Sequence, residues 1–504
     1  MTRPSDSSIL LTGATGLLGR SLLRDLAAAG RRVAVIVRGS KTAAAADRVD
    51  ELLDDWREVA GAEVACPVVL EGDLSVAGLG LSSEQRGWIA RNVREMVHSA
   101  ASLSFQLREA DGEPYTSNVT GTRHVLALCR ETGIRRIHHV SSAYVCGLRE
   151  GRILETELDV GQTPGNDYER SKIVSEGEAA AAGCFDVCTV HRPSIIVGDL
   201  VHGFTNTFHG FYKPLRIVQP FVEAFVGAEL PPGSLLDVLG MTGRECKNLV
   251  PVDWVSAAMT RIILDESLHG RTYHLTSGAA TSVATLCRVF EGLVVEMAAD
   301  LRRQREARAA GRRPPAFDAA TLGRLFVDQM HVYRAYWRDD PTFDASHTCR
   351  ALPDLPAPAL DEESIRRLCR FAIGAGFRWP PASRPARGPS ARAALEAALG
   401  PAEWAAAHGE VVGLSATGAG GGQWTLAVAD GRPASVHVGL PSRAAPTIWL
   451  AAATLERLLA GTLSPAEAED RGGLTVEGGD ESGRRRARAA LAAVNRRFAP
   501  LVPA

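Results

Sequence analysis

The feature that most constrains this chain is Thr12-Gly13-Ala14-Thr15-Gly16-Leu17-Leu18-Gly19, a glycine-rich turn set between the apolar run Ile9–Leu11 and helix-forming sequence. Its three glycines, spaced three apart, do separate jobs. Gly13 permits a tight turn, Gly16 lets a pyrophosphate approach the backbone, and Gly19 lets the helix lie close on the strand. Free N–H groups and the dipole at the start of that helix favour an anion. Such a turn has this meaning only inside a strand–turn–helix unit, and the sequence continues in that rhythm. Val33–Val37, Val68–Leu70, Met96–Val97, Ile137–Val140 and Val187–Val190 read as further buried parallel strands, with Leu17–Ala29 and Thr122–Arg130 among the crossover helices. The expected class is α/β, a doubly wound parallel sheet.

The residues after the second strand select the nucleotide. A site for NAD ends that strand with Asp or Glu, which holds the ribose hydroxyls. Here Val37 is followed by Arg38-Gly39-Ser40-Lys41, without an acid. Arg38 can fork onto the oxygens of a 2′-phosphate, and Lys41 or Arg48 can add charge. NADPH is therefore the expected cofactor, with Thr12, Gly13, Thr15, Gly16, Leu17, Leu18, Gly19, Arg38 and Arg48 as contacts.

A second constellation carries chemistry. Tyr168-Glu169-Arg170-Ser171-Lys172 sets a tyrosine and a lysine one helical turn apart, facing the same way. Ser142, in His139-Val140-Ser141-Ser142-Ala143-Tyr144, follows an apolar strand and so falls at the carboxyl end where open α/β sheets bind ligands. Tyr168 would exchange a proton with the reacting oxygen. A free phenol has a pKa of about 10, and the Lys172 ammonium is expected to lower it. Lys172 can also hold the nicotinamide ribose, and Ser142 can donate to the carbonyl oxygen as charge develops. The hydride comes from the cofactor.

Composition narrows the alternatives. Lys+Arg (56) nearly balance Asp+Glu (58), so no global field recruits nucleic acid or an anionic membrane. The nine cysteines include no C-x-x-C pair and no zinc spacing, so no metal site is expected and a reducing, cytoplasmic setting fits. No signal segment is recognised at the start and no apolar run is long enough to span a bilayer, so no integral membrane association is expected. Six arginines within residues 300–315 read as a solvated helix.

At 504 residues the chain exceeds one ordinary domain. From about Asp199 the strand rhythm is lost, and residues 200–380 read as a substrate-covering region of a first unit, 1–380. Trp379–Pro389 is rich in Pro and Arg, which places a linker at 381–390 and a smaller α+β domain at 391–504. In that domain Trp424–Ala429 and Ala434–Val438 read as a hairpin around Asp430-Gly431-Arg432-Pro433, Thr454–Leu463 as a helix and Leu474–Glu477 as a closing strand.

Together these residues resemble the extended short-chain dehydrogenase/reductase superfamily, which implies a Rossmann sheet with a substrate-binding extension. Gly72-Asp73-Leu74 is similar to the adenine-side motif and adds Asp73 and Leu74 to the nucleotide contacts. Asn118-Val119-Thr120-Gly121-Thr122 resembles the family's stretch whose Asn braces the catalytic lysine, often through water, which adds Asn118 to the catalytic set. His191-Arg192-Pro193-Ser194-Ile195-Ile196-Val197-Gly198-Asp199 resembles the strand that touches the nicotinamide, which implies Pro193 and Ile195; Pro251-Val252-Asp253-Trp254-Val255 resembles the element after it.

Within the superfamily, His98-Ser99-Ala100-Ala101-Ser102-Leu103-Ser104-Phe105 and His139–Tyr144 are most similar to the fatty acyl-CoA reductase and thioester reductase branch, which implies Ala100 at the cofactor. Arg38 with the downstream Ala-Ala-Ala-Ala-Asp-Arg48 is similar to the NADPH-binding stretch of thioester reductases, and Tyr333–Phe377 to the C-terminal extension of fatty acyl-CoA reductases. One departure is Ser142, where that branch often has Thr and where sugar-nucleotide and hydroxysteroid members usually have Ser. Near the end, Trp424-Thr425-Leu426, Asp430-Gly431, Thr454–Leu463 and Gly473–Gly478 resemble a sterol-carrier-protein-like lipid-binding domain, which implies a sheet-and-helix sandwich around an apolar tunnel. An unrelated module that makes a homodimer is the competing reading. The resemblance implies a reductase of a lipid-like acyl thioester, carried on CoA or a carrier protein, yielding aldehyde or alcohol. An alcohol/ketone oxidoreductase acting on a sterol, and a non-catalytic nucleotide-sensing lipid transfer protein, stay open beside it.

Overall fold

A strand whose residues are all apolar must be covered on both faces. That demand is met at β1 (Ser8–Thr12) and β2 (Val33–Val37), each buried along its whole length. The computed structural model describes residues 7–379 apart from 41–42, 61–64, 107–111, 226–233 and 308–325, and residues 410–498 apart from 418–421, 430–431, 439–444, 460–462 and 471–472. Further strands are β3 (Val68–Glu71), β4 (Val93–His98), β5 (Arg136–Val140), β6 (Val187–Pro193) and β7 (Thr272–Leu275). They form one parallel sheet in the order β7-β6-β5-β4-β1-β2-β3. The order reverses between β1 and β4, so a crevice opens at the carboxyl ends of those two strands.

Helices cover both faces. On one, α1 (Leu17–Ala28), α2 (Ala45–Ala60) and the later Val252–Leu264 helix bring Leu22, Leu26, Leu52, Trp56, Val255 and Ile262 onto the sheet. On the other, α3 (Ser83–Asn92) and α4 (Gly121–Thr132) bring Ile89, Val125 and Leu128. Two further helices complete this run: α5 (Asp167–Ala180) and α6, the Val252–Leu264 helix just named.

The expectation that strand rhythm ends near Asp199 is corrected: β7, the seventh strand of the main sheet, comes from residues 272–275. Thr272-Tyr273-His274-Leu275 carries only two clearly apolar side chains, so it does not announce itself; pairing with β6 and burial of His274 make it a strand. The rest of residues 200–379 is held by α7 (Val283–Ala307) packed on α8 (Glu362–Gly374), with Leu293, Ile365 and Leu368 in a shared core. The arginine-rich stretch belongs to the end of α7 as far as residue 307; the remainder lies outside the described residues.

The expected linker also lies outside the described residues, except Trp379. That residue is an anchor: its ring lies edge-on to Phe204 at 5.0 Å between centroids, and its Nε1 donates to Asp55 (2.7 Å), which also pairs with the buried Arg20 (2.7 Å).

Beyond it, β8 (Glu410–Thr417), β9 (Gly422–Ala429), β10 (Arg432–Val438), β11 (Thr447–Ala451) and β12 (Leu474–Glu477) form a second sheet in the order β10-β9-β8-β11-β12, backed by α9 (Ala452–Leu459), the short Pro465–Asp470 helix and α10 (Glu481–Phe498). The hairpin strands and the closing strand read from the sequence are present and the helix runs over Ala452–Leu459, while the read turn at 430–431 and the helix end at 460–462 lie outside the described residues. Along β11 the side chains alternate between two cores. Ile448 and Leu450 face the small unit's own interior, whereas Trp449 packs with Ile36, Val68 and Leu70 of the large sheet. Among the described residues no helix is long and apolar enough to cross a membrane.

Candidate active site

The crevice is lined first by the glycine turn. Gly13 has φ +77°, a left-handed conformation open to glycine. Steric contact explains the requirement, because a Cβ there would stand 2.7 Å from the backbone N of Ala100 on the loop after β4. A Cβ on Gly19 would collide with the Gly13 carbonyl. Gly16 is the N-cap of α1 and offers no capping side chain, which leaves the first N–H groups of the helix, at Leu17 and Leu18, to an anion. This cradle fits a dinucleotide pyrophosphate.

Thr12 Oγ1 is bonded to His98 Nδ1 (2.7 Å), and the far side of that ring meets Thr122 Oγ1 (3.1 Å), which fixes β1, β4 and α4 together beneath the crevice. Burial, then the charge of Lys172, brings His98 down to about 3, so it is neutral. Thr15 accepts from Arg48 Nη2 (3.3 Å) at its hydroxyl and from Asn206 Nδ2 (3.1 Å) at its carbonyl.

Arg38, Arg48 and Asp73 gather at one corner. Arg48 donates to the Arg38 carbonyl (2.5 Å), and the largely exposed Arg38 guanidinium lies 3.6 Å from Asp73. Burial pushes the Asp73 carboxyl up, but the Ser75 N–H and hydroxyl and the Arg38 charge outweigh it and hold it below the usual range. Leu74 touches the close-packed start of α4, where a Cβ on Gly121 would meet it at 3.2 Å, and its carbonyl is bonded to His124 Nδ1 (2.8 Å).

Ser142, Tyr168 and Lys172 converge at the carboxyl end of β5. Ser142 is 5% exposed and its hydroxyl accepts from Tyr144 N (3.2 Å), close enough to Tyr168 to act on the phenol's proton affinity. Lys172 Nζ donates to the Val140 carbonyl (2.6 Å), two residues before Ser142. Burial lowers Lys172 to about 8, against the pull of Glu176. Burial raises Tyr168 to about 12; the nearby Ser142 hydroxyl opposes this and the charge of Glu169 adds to it. The expected lowering of Tyr168 by Lys172 is thus not what governs the phenol. Desolvation of a phenolate outweighs one neighbouring cation.

Asn118 meets Ser102 in both directions (N–H to Oδ1 2.7 Å, Nδ2 to carbonyl 3.1 Å) and donates to Ser171 Oγ (2.9 Å). It therefore joins the loop after β4 to α5 one residue before Lys172. Pro193 ends β6 opposite Leu275, and Ile195 pairs with Leu249 just beyond, continuing the strand alongside the serine loop.

Several residues at this site escaped the sequence reading. Phe105 stands edge-on to Tyr168, Tyr333 and Tyr336, with centroids 5.8, 5.2 and 5.6 Å apart. Asn206 reaches the glycine turn, and Glu169, 3% exposed, lies beside Tyr168. The cluster of Tyr333, Tyr336 and Trp337 was the available signal, but a local aromatic run does not say which distant site it joins.

Comparison with known proteins agrees with this geometry. Residues 11–259 match the family described as "Male sterility protein". The chain is 33% identical over 195 residues to sterol demethylase protein B of Methylococcus capsulatus, covering 38% of this chain and 51% of that protein. It is 25% identical over 244 residues to the fatty acyl-CoA reductase wat of Drosophila melanogaster (46% and 43%), and 28% over 295 residues to peramine synthetase A of Epichloe festucae (56% and 10%). The chain thus spans about half, or far less, of the length of these curated relatives. The terminal R domain of the myxalamid biosynthetic pathway has the same fold, with a TM-score of 0.56 at 23% identity over 75% of this chain and 94% of that one. The crevice and the serine–tyrosine–lysine pocket therefore lie in the segment, residues 11–259, that matches the family described as "Male sterility protein".

Proposed function

We propose that the chain is an NADPH-dependent reductase of a hydrophobic acyl thioester, carried on CoA or on a carrier protein. The observation that carries this reading is the convergence of Ser142, Tyr168 and Lys172 at the carboxyl end of β5, beside a crevice shaped for a dinucleotide. Similarity to a fatty acyl-CoA reductase supports the thioester, and Arg38, standing directly after β2 where an NAD site has an acid, supports the 2′-phosphate together with Arg48. When bound, the nicotinamide supplies a hydride to the carbonyl carbon. Ser142 and Tyr168 hold the carbonyl oxygen, and Tyr168, kept neutral by burial, gives it a proton. Lys172 holds the ribose and restores charge near the phenol. Breaking the C–S bond of the resulting hemithioacetal releases a thiol and an aldehyde; a second hydride would give the alcohol.

The small C-terminal unit is proposed to bind lipid, supported by its single apolar core between sheet and helices, from Leu414 and Trp424 to Leu458 and Leu491. A second reading, oxidation or reduction at a sterol alcohol or ketone, is favoured by the 33% identity to sterol demethylase protein B and by Ser142. The test is mass spectrometry of a small acyl-CoA panel and a ketosteroid, each incubated with NADPH or NADH. Aldehyde or alcohol from an acyl-CoA, lost in Tyr168→Phe, is expected. Arg38→Ala should raise the KM for NADPH and leave NADH unchanged. Turnover of the steroid alone would favour the second reading.

A further inference from the structure

Both halves of the serine–tyrosine pair are fastened to one short segment that lies outside residues 11–259. At the tyrosine end, the Tyr336 hydroxyl accepts from Asn166 Nδ2 (3.0 Å), and the charge of Glu169 nearby adds to the burial that pushes the Tyr336 phenol up. Asn166 is the N-cap of α5, where it receives Glu169 N (2.9 Å), and Glu169 accepts in turn from Gly165 N (2.7 Å). The first turn of the helix that carries Tyr168 is thus bound to Tyr336. At the serine end, Tyr144, whose N–H bonds Ser142 Oγ, donates its hydroxyl to Asp340 (2.7 Å). Asp340 also accepts from Asn248 N (2.8 Å) and Lys247 Nζ (2.7 Å). Between the two anchors, Arg338 donates to the carbonyls of Gly147 and Leu148 (2.9 Å each). The Tyr336 ring lies edge-on to Tyr144 at 5.3 Å and to Phe105 at 5.6 Å, and Phe105 lies edge-on to Tyr168.

We propose that Tyr336 and Asp340 are positioning residues: they strap the serine loop to the tyrosine helix and so hold the Ser142 and Tyr168 hydroxyls at a fixed spacing. This rests on the reading of Ser142 and Tyr168 as the reacting pair. The two side chains sit on separate elements, the end of β5 and the start of α5, and rigidity of either alone does not fix their spacing. A misplacement of about 1 Å costs roughly a hundredfold in rate. Neither Tyr336 nor Asp340 belongs to the glycine crevice, so nucleotide affinity should not depend on them.

The test uses the full chain labelled with [13Cζ]tyrosine, which gives seven tyrosine signals, Tyr168 being assigned by its loss in Tyr168→Phe. Tyr336→Phe removes one anchor and Asp340→Asn weakens the other. Each should shift the Tyr168 resonance while circular dichroism and NADPH affinity stay as in the parent. In turnover each should lower kcat at least about tenfold with the KM for nucleotide unchanged. The double variant should be little worse than the more damaged single one, because both release the same strap. A Tyr168 signal unmoved in both variants overturns the proposal, as does a loss confined to nucleotide binding. Should the parent reduce no thioester, the reading of the reaction fails, while the resonance still decides the strap. Should Tyr336→Phe not fold, Asp340→Asn decides alone.

Discussion

Lys172 and Tyr168 are one helical turn apart, yet burial moves them in opposite senses, since it disfavours whichever form is charged. The lysine comes down to about 8 and the phenol goes up to about 12. A neutral phenol is ready to donate, which suits reduction. The lysine then sets the alkaline limit: as pH rises through about 8 the ammonium is lost. The kcat/KM for reduction should be level below that value and fall above it, with no break from Tyr168 until far more alkaline pH. A pH–rate profile checks this, and an alkaline limb that persists in the residual activity of Lys172→Met would assign it to another group. Spacing alone placed these two residues on one helical face. It could not reveal the direction of the tyrosine shift, because that depends on how much water the fold removes. Tyr336 was equally hidden, since its partner Asn166 is 170 residues away in the chain.

The glycine turn was legible because its chemistry is local: strand, turn and helix are contiguous, and each glycine answers a contact within that unit or with the next loop. Gly13→Ala tests the tightest of these contacts. Its Cβ would combine a left-handed φ with a 2.7 Å approach to Ala100 N, so the loop after β4 must shift. Affinity for NADPH should drop by at least about tenfold, roughly 1.4 kcal/mol, measured by fluorescence titration, while the melting temperature changes little. Parent-like affinity would mean that the turn does not carry the pyrophosphate. The strands from β1 to β6 were legible for the same local reason, each carrying at least two of Val, Ile, Leu or Met within a short span. β7 was not, because a strand that mixes Thr, Tyr and His is recognised only by the neighbour it pairs with.

For the whole molecule, the two sheets meet away from the chemistry. The small unit adjoins β2 and β3, where a cleft of about 400 Å³ runs between residues 27–33 and 65–68 on one side and Glu469, Asp470, Thr475 and Glu477 on the other. These are the amino ends of β2 and β3, whereas Arg38 stands past the carboxyl end of β2. Ser142 follows β5, four places along the sheet from β3. A chain ended after Trp379 should therefore keep its kcat on a short, soluble acyl thioester. Its KM for long-chain substrates should rise if the small unit holds lipid nearby. Equal loss on short and long substrates, in a truncated chain that still shows its helical and strand signals, would mean that the small unit completes the site.

Trp449 gives that truncation a second consequence, one of colloidal behaviour. The indole joins the core that holds Val68 and Leu70 of β3, which among the described residues is the outermost strand of its sheet. Without the small unit, a greasy patch and a row of unpaired backbone groups are laid bare side by side, the combination that invites strands from other molecules to add on. The shortened enzyme should therefore be active when dilute and sticky when concentrated, growing larger on a sizing column as its concentration rises.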